Sequence, residues 1–563
     1  MPGRGDGGQR PRSVKDDDPH RPPPSGAALA PFRTPDFRNL WLANLSSNFG
    51  GLVQGVGAAW LMTSLTSSAS MVALVQASTT LPVVMLSLLS GAVADGFDRR
   101  RVMLAAQGFM LVVSILLAAC AWLGWLDPWS LLAFTFLIGC GGALNNPSWQ
   151  ASVGDMVPRD DLPAAVTLNS VGFNLMRSVG PAAGGAIVAA GGAAAAFAVN
   201  AASYALLIGT LLRWRPGTSA SPLPRTPLGS AITEGLRYVA MSPNIAKVML
   251  RAFAFGLTSI AVLALLPLVA RTLGSGSALT YGVLLGTFGA GAVAGAFGLA
   301  HLRERVSSEM LARGTFTGFA LCATVLAAAS SPWVAGPALM LGGACWVIAL
   351  STFNVTVQLS TPRWVLGRAL SLYQMAAFGG MASGSWLWGH VAEGAGLGNA
   401  LLWAALGMLA GALLGLRVPL PDRARLDLDP LNRWQRPHVE LDLRPRSGPI
   451  AITVEYRISV ADTDTFLDVM TERRRMRRRD GARRWALARD MEQPERWTES
   501  YQIPTWTEYL HYNERATRED ASIGDRLRAL HAGEGLPVVH RMIVRRAGPA
   551  QPDPVPRVPL DIH

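Results

Sequence analysis

One arginine, Arg177, lies deep inside an apolar stretch, about a dozen residues from either end. An unpaired charge at that depth in a membrane is costly, so its side chain is expected to face a bundle interior or a water-filled cavity. There it could bind an anionic or phenolic substrate, or an acid brought near in one state of the protein. The alternative is a structural role, in which asparagines and backbone carbonyls of the first or fourth apolar stretch satisfy the guanidinium.

Neutral amides recur in the same apolar stretches. Asn44 and Asn48 lie one turn apart and share a helix face. Each amide taken alone is more often a hydrogen bond between helices than a ligand contact. The candidates for a substrate cavity, besides Arg177, are Asn44, Asn48, Gln54, Gln76, Asn145, Asn146, Asn169, Asn174, Gln358 and Gln374, with Trp149, Trp346, Trp386 and Trp388 as rings on which an aromatic substrate could stack.

Other chemistry is poorly supported. The four cysteines all lie in apolar stretches without CxxC spacing, so neither a metal site nor a disulfide is predicted. The sequence has no nucleotide-binding pattern GxxxxGK(S/T), which argues against an ATP-driven pump. No catalytic set stands out, so the protein is not expected to be an enzyme, and no cofactor is predicted.

The elements that must position these residues are long apolar helices. Half of the 563 residues are hydrophobic, 16% are charged, and the mean hydropathy is +0.27. A membrane core of about 30 Å requires roughly 20 apolar residues per helix. Twelve stretches meet this need, near residues 39–63, 71–94, 102–125, 129–154, 165–190, 193–213, 246–271, 279–302, 308–329, 332–358, 367–390 and 397–417.

The arginines between these stretches alternate in a way that predicts orientation. Arginines follow the second, fourth, sixth, eighth and tenth stretches, whereas loops such as 66–70, 124–129 and 330–336 have no Lys or Arg, and Arg271 is the exception. The positive-inside rule therefore places both termini and the long central loop in the cytoplasm. The chain itself is expected to be a multi-pass protein of the cell (inner) membrane. The formal charge of +12 is explained by this placement, without a nucleic-acid partner.

The two halves of the apolar region repeat each other at an offset of 204 residues. Two related six-helix bundles around a central segment suit alternating access, in which one bundle moves against the other. Chance matching of Gly/Ala-rich helices is the alternative, but the loops match too. The matched positions are Gly91, Arg99, Arg101, Pro158, Arg159, Gly180 and Gly185 with Gly295, Arg303, Arg305, Pro362, Arg363, Gly384 and Gly389.

Two motifs carry a family resemblance. The segment from Gly91 through Asp95 and Asp98 to Arg99, Arg100 and Arg101 resembles the loop between the second and third helices of major facilitator superfamily transporters. The segment with Gly180, Pro181, Gly184 and Gly185 resembles the antiporter motif of their fifth helix. Together with the stretch from Asn146 to Pro181, these motifs are similar to the branch of enterobactin exporters and transmembrane secretion effectors, over about residues 32–417. Gly96 departs from the usual Arg or Lys, and Leu299 replaces the acid in the second copy.

The resemblance implies roles for these residues. Asp95 would latch the cytoplasmic side of the bundle shut by accepting hydrogen bonds from helix N-termini or pairing with an arginine. Gly180 and Pro181 would loosen the fifth helix, and Gly184 and Gly185 would let a neighbouring helix approach closely. Proton coupling follows from the family, with Asp95 and Asp155 as candidate carriers. Simple topology determination by the arginines and simple packing by the glycines are the alternatives.

A different composition begins after Pro421. Alternating residues predict a strand at 449–460, a helix follows at 462–478, then strands at 482–490 and 497–504, a helical region at 505–531 and a strand at 537–545. This order suggests a cytoplasmic ferredoxin-like domain, similar to dimeric α/β-barrel monooxygenases, through which the protein could dimerise. Arg473–Arg475 and Arg477–Arg479, which end the helix at 462–478, are expected to form a solvated face, with contact to anionic lipid as the alternative.

The predicted organisation is therefore an all-α polytopic membrane protein with a soluble C-terminal α+β domain. Its segments are a disordered 1–31, a six-helix bundle 32–213, a linker 214–245, a second bundle 246–417, a linker 418–448, the α+β domain 449–546 and a disordered tail 547–563. The predicted function is proton-coupled export of siderophores, drugs or metabolites by alternating access. The alternatives are a membrane-anchored ligand sensor or scaffold, and a transporter fused to a small monooxygenase-like domain.

Overall fold

The computed structural model describes residues 27–215, 236–273, 276–362, 365–421, 437, 439–514 and 517–545. Long helices fill the first three quarters of the chain, because apolar segments must satisfy their backbone groups internally. They are α1 Pro35–Leu65, α2 Ala69–Gly96, α3 Arg99–Leu123, α4 Pro128–Met156, α5 Leu162–Arg213, α6 Pro243–Thr272, α7 Ala278–Arg305, α8 Ser308–Ala328, α9 Pro332–Leu359, α10 Leu366–Ala395 and α11 Leu397–Arg417.

Short polar connections begin most of these helices. Asp98 accepts a hydrogen bond from the backbone N–H of Arg101 at 2.9 Å and so caps α3. Asp127 forms a reciprocal capping box with Ser130 at the start of α4. The hydroxyls of four serines cap further helices in the same way. They are Ser68, Ser277, Ser307 and Ser331.

Helix α5 is too long for one crossing. Its 52 residues, at about 1.5 Å each, span roughly 78 Å, against about 30 Å for a membrane core. Gly192 breaks it with φ 70° and ψ 178°, a conformation that glycine adopts without a steric penalty. The break lies between the predicted fifth and sixth stretches. In the described residues, nine helices, α5 counted once, are long and apolar enough to cross a membrane, so the predicted count of twelve stays a prediction.

The helices form two groups with equivalent packing. In the first, α1 packs on α5, α2 on α4, and α3 on α5. In the second, α6 packs on α10, α7 on α9, and α8 on α11, so each pairing reproduces one in the first group. The groups meet where α5 packs on α7 and where α2 packs on α10. This arrangement matches the internal repeat.

The C-terminal part of the chain forms a four-stranded antiparallel sheet with helices on one face. Strands β1 Ile450–Arg457, β2 Arg483–Arg489, β3 Arg496–Ile503 and β4 Val538–Ile543 lie in the order β2-β3-β1-β4. The buried side chains of β1 alternate, as the sequence pattern predicts. They pack against three helices, α12 Thr463–Arg479, α13 Trp506–Glu514 and α14 Arg518–Leu530.

A fully buried carboxylate, Glu499 on β3, holds this part of the chain together. Arg473 and Arg477 of α12 donate to it through Nε at 2.9 and 3.1 Å. Burial alone would raise its pKa, but the two guanidinium groups outweigh burial and lower the pKa of Glu499 to about 2. The expectation of a solvated arginine face is wrong for these two residues, because their partner lies on a strand that comes later in the sequence.

The sheet domain also contacts the segment that precedes α6. The guanidinium carbon of Arg479 lies 5.0 Å from the ring centre of Tyr238, which is only 2% exposed. Arg479 also donates to Asp480 and Asp520, both at 2.8 Å. This cluster connects the C-terminal domain to the chain between the two helix groups.

Candidate functional site

A cavity of about 240 Å³ lies between the two helix groups. Residues of α1, α2 and α5 from the first group and of α6 and α7 from the second line it. Most of the lining is apolar, and the few polar groups converge on it, which is the usual character of a small-molecule site. Its polar and aromatic lining residues are Gln76, Thr79, Arg177, Tyr281 and Phe288.

Arg177 brings the charge to this cavity. Its side chain is half-buried, and the guanidinium carbon lies 5.9 Å from the ring centre of Trp346 on α9. Among the described residues, no carboxylate forms a salt bridge with it. A cation in apolar surroundings without a counter-charge favours an anionic ligand. The structural alternative placed its partners on the first or fourth stretch, whereas the contact found is a ring of the second group.

Aromatic rings form the wall behind that contact. Phe255, Phe288 and Phe319 surround Trp346 with ring centres 6.0 to 6.2 Å apart. Edge-to-face and tilted packing of this kind holds each ring in place. Trp346, one of the predicted stacking residues, therefore stands in a rigid cluster beside the only positive charge that lines the cavity among the described residues.

Polar contacts join the two helix groups at the end away from the Arg-rich loops. Ser68 donates to the Glu393 carboxylate of α10 at 3.2 Å, and Ser70 also donates to it. Arg271 donates to Ser64 at 3.2 Å and lies 5.5 Å from the ring centre of Trp60. Each contact joins one helix group to the other, so we call this set, Ser64, Ser68, Ser70, Arg271 and Glu393, the closed end.

Glycines bring the backbones of the two groups together near the closed end. A Cβ on Gly185 would lie 2.8 Å from the carbonyl oxygen of Ala278 and 2.8 Å from the Cα of Gly282. A Cβ on Gly389 would lie 2.9 Å from the Cα of Ser70. No side chain fits at either contact. Gly185 thus supports the predicted close approach of a neighbouring helix, and that neighbour belongs to the other group.

The other residues of that motif pack within the first group. A Cβ on Gly180 would lie 2.9 Å from Leu52, and one on Gly184 would lie 3.0 Å from the Cα of Val53. Pro181, in the same turn, lines the cavity. The motif therefore joins α1 to α5 on one side and borders the cavity on the other.

The Arg-rich loop between α2 and α3 fastens helices of the first group. Arg99 forms a 2.8 Å salt bridge with Asp155 and donates to the Ala151 carbonyl at 3.1 Å. Arg100 donates to the last carbonyls of α5, Leu211 and Leu212, both at 2.8 Å. Arg101 is exposed. Gly91 and Asp95 lie in α2, and the side chains at both positions are outside the described residues, so the latch stays a prediction.

The second group repeats part of this arrangement. Arg303, the counterpart of Arg99, donates to the Ser351 carbonyl of α9 at 3.1 Å. Arg99 makes the equivalent contact with a carbonyl of α4. The matched arginines thus have matched positions, as the repeat predicts.

Nine of the ten predicted amides lie outside the lining of the cavity. All nine except Gln54 occupy the halves of their helices nearer to the Arg-rich loops. Asn44 and Asn145 are buried, Asn48 and Asn174 are half-buried, and Gln358 and Gln374 are exposed. Gln54 and Asn200 bond to each other inside the first group. Gln76 is the amide that lines the cavity.

Sequence reasoning missed a buried ion pair in the second group. Arg251 is fully buried, donates to the Gly411 carbonyl at 2.7 Å, and lies 3.5 Å from Glu309. Glu309 also accepts from Arg313 and from the backbone N–H of Leu420, both at 2.8 Å. A charge inside the seventh predicted stretch was the available signal. The described residues contain no His, Cys, Asp or Glu group that could hold a metal ion.

The sequence is similar to a family profile and to known proteins. The sequence profile of the transmembrane secretion effector family matches residues 26–548. The multidrug efflux pump Tap of Mycobacterium tuberculosis is 26% identical over 428 residues, 72% of this chain and 98% of that protein. The uncharacterized MFS-type transporter YfiS of Bacillus subtilis is 26% identical over 185 residues, which span 32% of this chain and 43% of that relative.

Solved structures share the fold. A bacterial homolog of the human lysosomal transporter Spinster, in an inward-facing and unoccupied conformation, superimposes with a TM-score of 0.53 at 16% identity, over 69% of this chain and 95% of that one. The chain is therefore a multi-pass membrane transporter of the major facilitator type rather than an enzyme. It belongs to the transmembrane secretion effector family.

Proposed function

We propose that this transporter exports small organic molecules that carry an anionic or phenolic group, such as siderophores, drugs or metabolites. The observation that carries the proposal is the cavity between the two repeated helix groups, with Arg177 as its charge. A cavity at the interface of two groups is the place where alternating access exposes a site to each side in turn. The efflux activity of the relative named above supports the direction.

We also propose that the chain crosses the membrane twelve times and has both termini in the cytoplasm. The break at Gly192 would divide α5 into two crossings, and α1 and α10, with 31 and 30 residues, have the length of a crossing. In the inner membrane of the cell, the Arg-rich loops would lie on the cytoplasmic side. The closed end would then face away from the cytoplasm. We assign the segments 32–213 and 246–417 to the bundles and 449–546 to a ferredoxin-like domain, for which the strand order is the support.

A proton gradient is the proposed energy source. Asp155 lies at the Arg-rich end in a salt bridge with Arg99, and Asp95 lies in α2 close to the same loop. Protonation of Asp155 would remove one partner of that pair and so loosen α3 from α4. We also propose that the C-terminal domains of two chains can associate.

Comparison of a deletion strain with its complement tests the function. Drug susceptibility and the accumulation of metabolites in the medium are measured, and purified protein is then reconstituted into vesicles with an imposed pH gradient. Transport of a substrate found in the strains, abolished by collapse of the gradient, is expected. Vesicles that move none of these substrates would favour the sensor or scaffold alternative.

A further inference from the structure

A second cavity, of about 310 Å³, lies in the C-terminal domain between the sheet and its helices. This volume is at the lower end of the range of roughly 300–1,000 Å³ for small-molecule sites. Residues of β1, β3 and β4 form one wall, and residues of α12, α13 and α14 form the other. The cavity is far along the chain from the membrane helices and has no part in the proposed transport step.

The side chains that line this cavity carry a positive charge. Four arginines line it, and its described lining contains no carboxylate. They are Arg473, Arg477, Arg528 and Arg541. Glu499 offsets part of the charge of Arg473 and Arg477, and Asp525 pairs with Arg528, but neither carboxylate lines the cavity. An anion is therefore the ligand that this surface would attract.

Two of these arginines retain unused donors. Arg473 donates to Glu499 through Nε at 2.9 Å, and Arg541 donates to the Tyr509 hydroxyl through Nε at 2.7 Å. Their terminal nitrogens have no hydrogen-bond partner among the described residues. Arg477 differs, since it bonds to Tyr512 at 2.6 Å and its guanidinium carbon lies 4.3 Å from the ring centre of Tyr501. Arg528 also uses a terminal nitrogen, in its salt bridge with Asp525. Arg473 and Arg541 are therefore the two arginines whose terminal nitrogens are both available to a carboxylate.

The remaining wall is apolar and aromatic. Val454 and Val539 pair across β1 and β4 on the side of the sheet that faces the helices. Val454 is 4% exposed, whereas Val539, on the edge strand β4, is 39% exposed and lines the cavity. The rings of Tyr501 and Tyr509 border the same space. A flat aromatic ring would pack against these side chains and so remove their apolar surface from water.

We propose that this cavity binds a small aromatic carboxylate, with its charged group on Arg473 and Arg541 and its ring against Val454, Val539 and the tyrosines. The full chain thus has a ligand site outside the membrane region. Its occupancy does not depend on whether the protein transports the same compound.

Isothermal titration of the full-length protein in detergent with 2-naphthoate tests the site. The wild-type protein is expected to bind one equivalent per chain, and the uncharged 2-naphthamide is expected to bind at least tenfold more weakly. Arg541→Gln should weaken naphthoate binding at least tenfold. Arg526→Gln is the matched control, because Arg526 lies on α14, pairs with Glu472 and does not line the cavity; its affinity should equal that of the wild type.

Two further variants separate the possible failures. Val539→Trp fills the space from an exposed position and should abolish binding while near-ultraviolet circular dichroism shows an intact domain. Arg177→Gln should leave this binding unchanged. Loss of binding in Arg177→Gln but not in Arg541→Gln would place naphthoate in the membrane cavity and overturn the proposal. Absence of binding to the wild-type protein, or equal affinity of the Arg541 and Arg526 variants, would overturn it too.

Discussion

Gly185 and Gly389 lie 204 residues apart and make the same contact with the opposite helix group. Gly185 packs on the first turns of α7 at Ala278 and Gly282, and Gly389 packs on the first turn of α2 at Ser70. Both contacts lie near the closed end, where the polar contacts also join the groups. A transporter that opens at this end must separate both pairs at once.

Side chains added at these glycines should therefore prevent closure. Gly185→Val and Gly389→Val place atoms where backbone already lies, and we expect transport to fall about tenfold or more while the amount of protein in the membrane is kept. Gly209→Ala is the control, because the space around Gly209 is open. Efflux from vesicles and spin-label distances across the closed end provide the measurements. If both valine variants transported at the wild-type rate, close approach at these two glycines would not be required for transport.

Removal of the charge at Arg177 should change substrate selection. Hydrogen bonds to charged groups contribute about 1.5–3 kcal/mol, so Arg177→Gln is expected to weaken apparent affinity for an anionic substrate by about 10–100-fold. Arg177→Lys should restore part of it, since the charge returns without the planar fork. Transport assays over a range of substrate concentrations give the comparison.

Arg305→Gln is the control for that series, because Arg305 is an exposed residue at the end of α7. Full efflux of every identified substrate by Arg177→Gln and Arg177→Ala would remove Arg177 from the site.

The carboxylate of Glu393 should limit leakage through the closed end. Glu393→Ala removes the acceptor of two hydroxyls, and passive leak of small solutes from vesicles is expected to rise about tenfold. Ser70→Ala should raise the leak less, and combining it with Glu393→Ala should add little, because both act on one contact. Glu304→Ala serves as the control, because Glu304 is an exposed acid at the end of α7 that lies away from the closed end. Strict additivity of the two closed-end changes would mean that they act separately.

The stability of the C-terminal domain should depend on pH through Glu499. Its pKa is lowered to about 2 in the folded domain from an ordinary 4.5, so its contribution is complete above about pH 4.5. That contribution is lost as the pH falls from 4.5 toward 2. Thermal unfolding of the full-length protein, followed by tryptophan fluorescence between pH 6 and pH 3, measures this slope.

Glu499→Gln leaves the buried Arg477 and the half-buried Arg473 without their charge partner and is expected to cost about 3–5 kcal/mol. The same variant should flatten the pH dependence. The exposed Glu495→Gln should change neither. An unchanged slope in Glu499→Gln would assign the acid sensitivity to other carboxyls.

Several features were predictable because local chemistry dictates them. Apolar length, the spacing of Arg-rich loops and the 204-residue offset predict long helices in two related groups. Alternating β1 residues predict a strand. The cost of burying a charge predicts that Arg177 faces a cavity, and it does line one. The family resemblance drawn from the Gly91–Arg101 and Gly180–Gly185 motifs is confirmed by the family profile.

Pairings across long stretches of chain were not predictable. The sequence places Glu393 323 residues after Ser70, Glu309 58 residues after Arg251, and Glu499 22 residues after Arg477, and nothing local joins these residues. The sequence by itself determined which segments are helices and strands, because hydrophobicity and backbone preference act over a few residues. Only the tertiary structure decided which amide lines the cavity, which glycines join the groups and which arginines are buried, because those outcomes depend on how distant helices and strands pack.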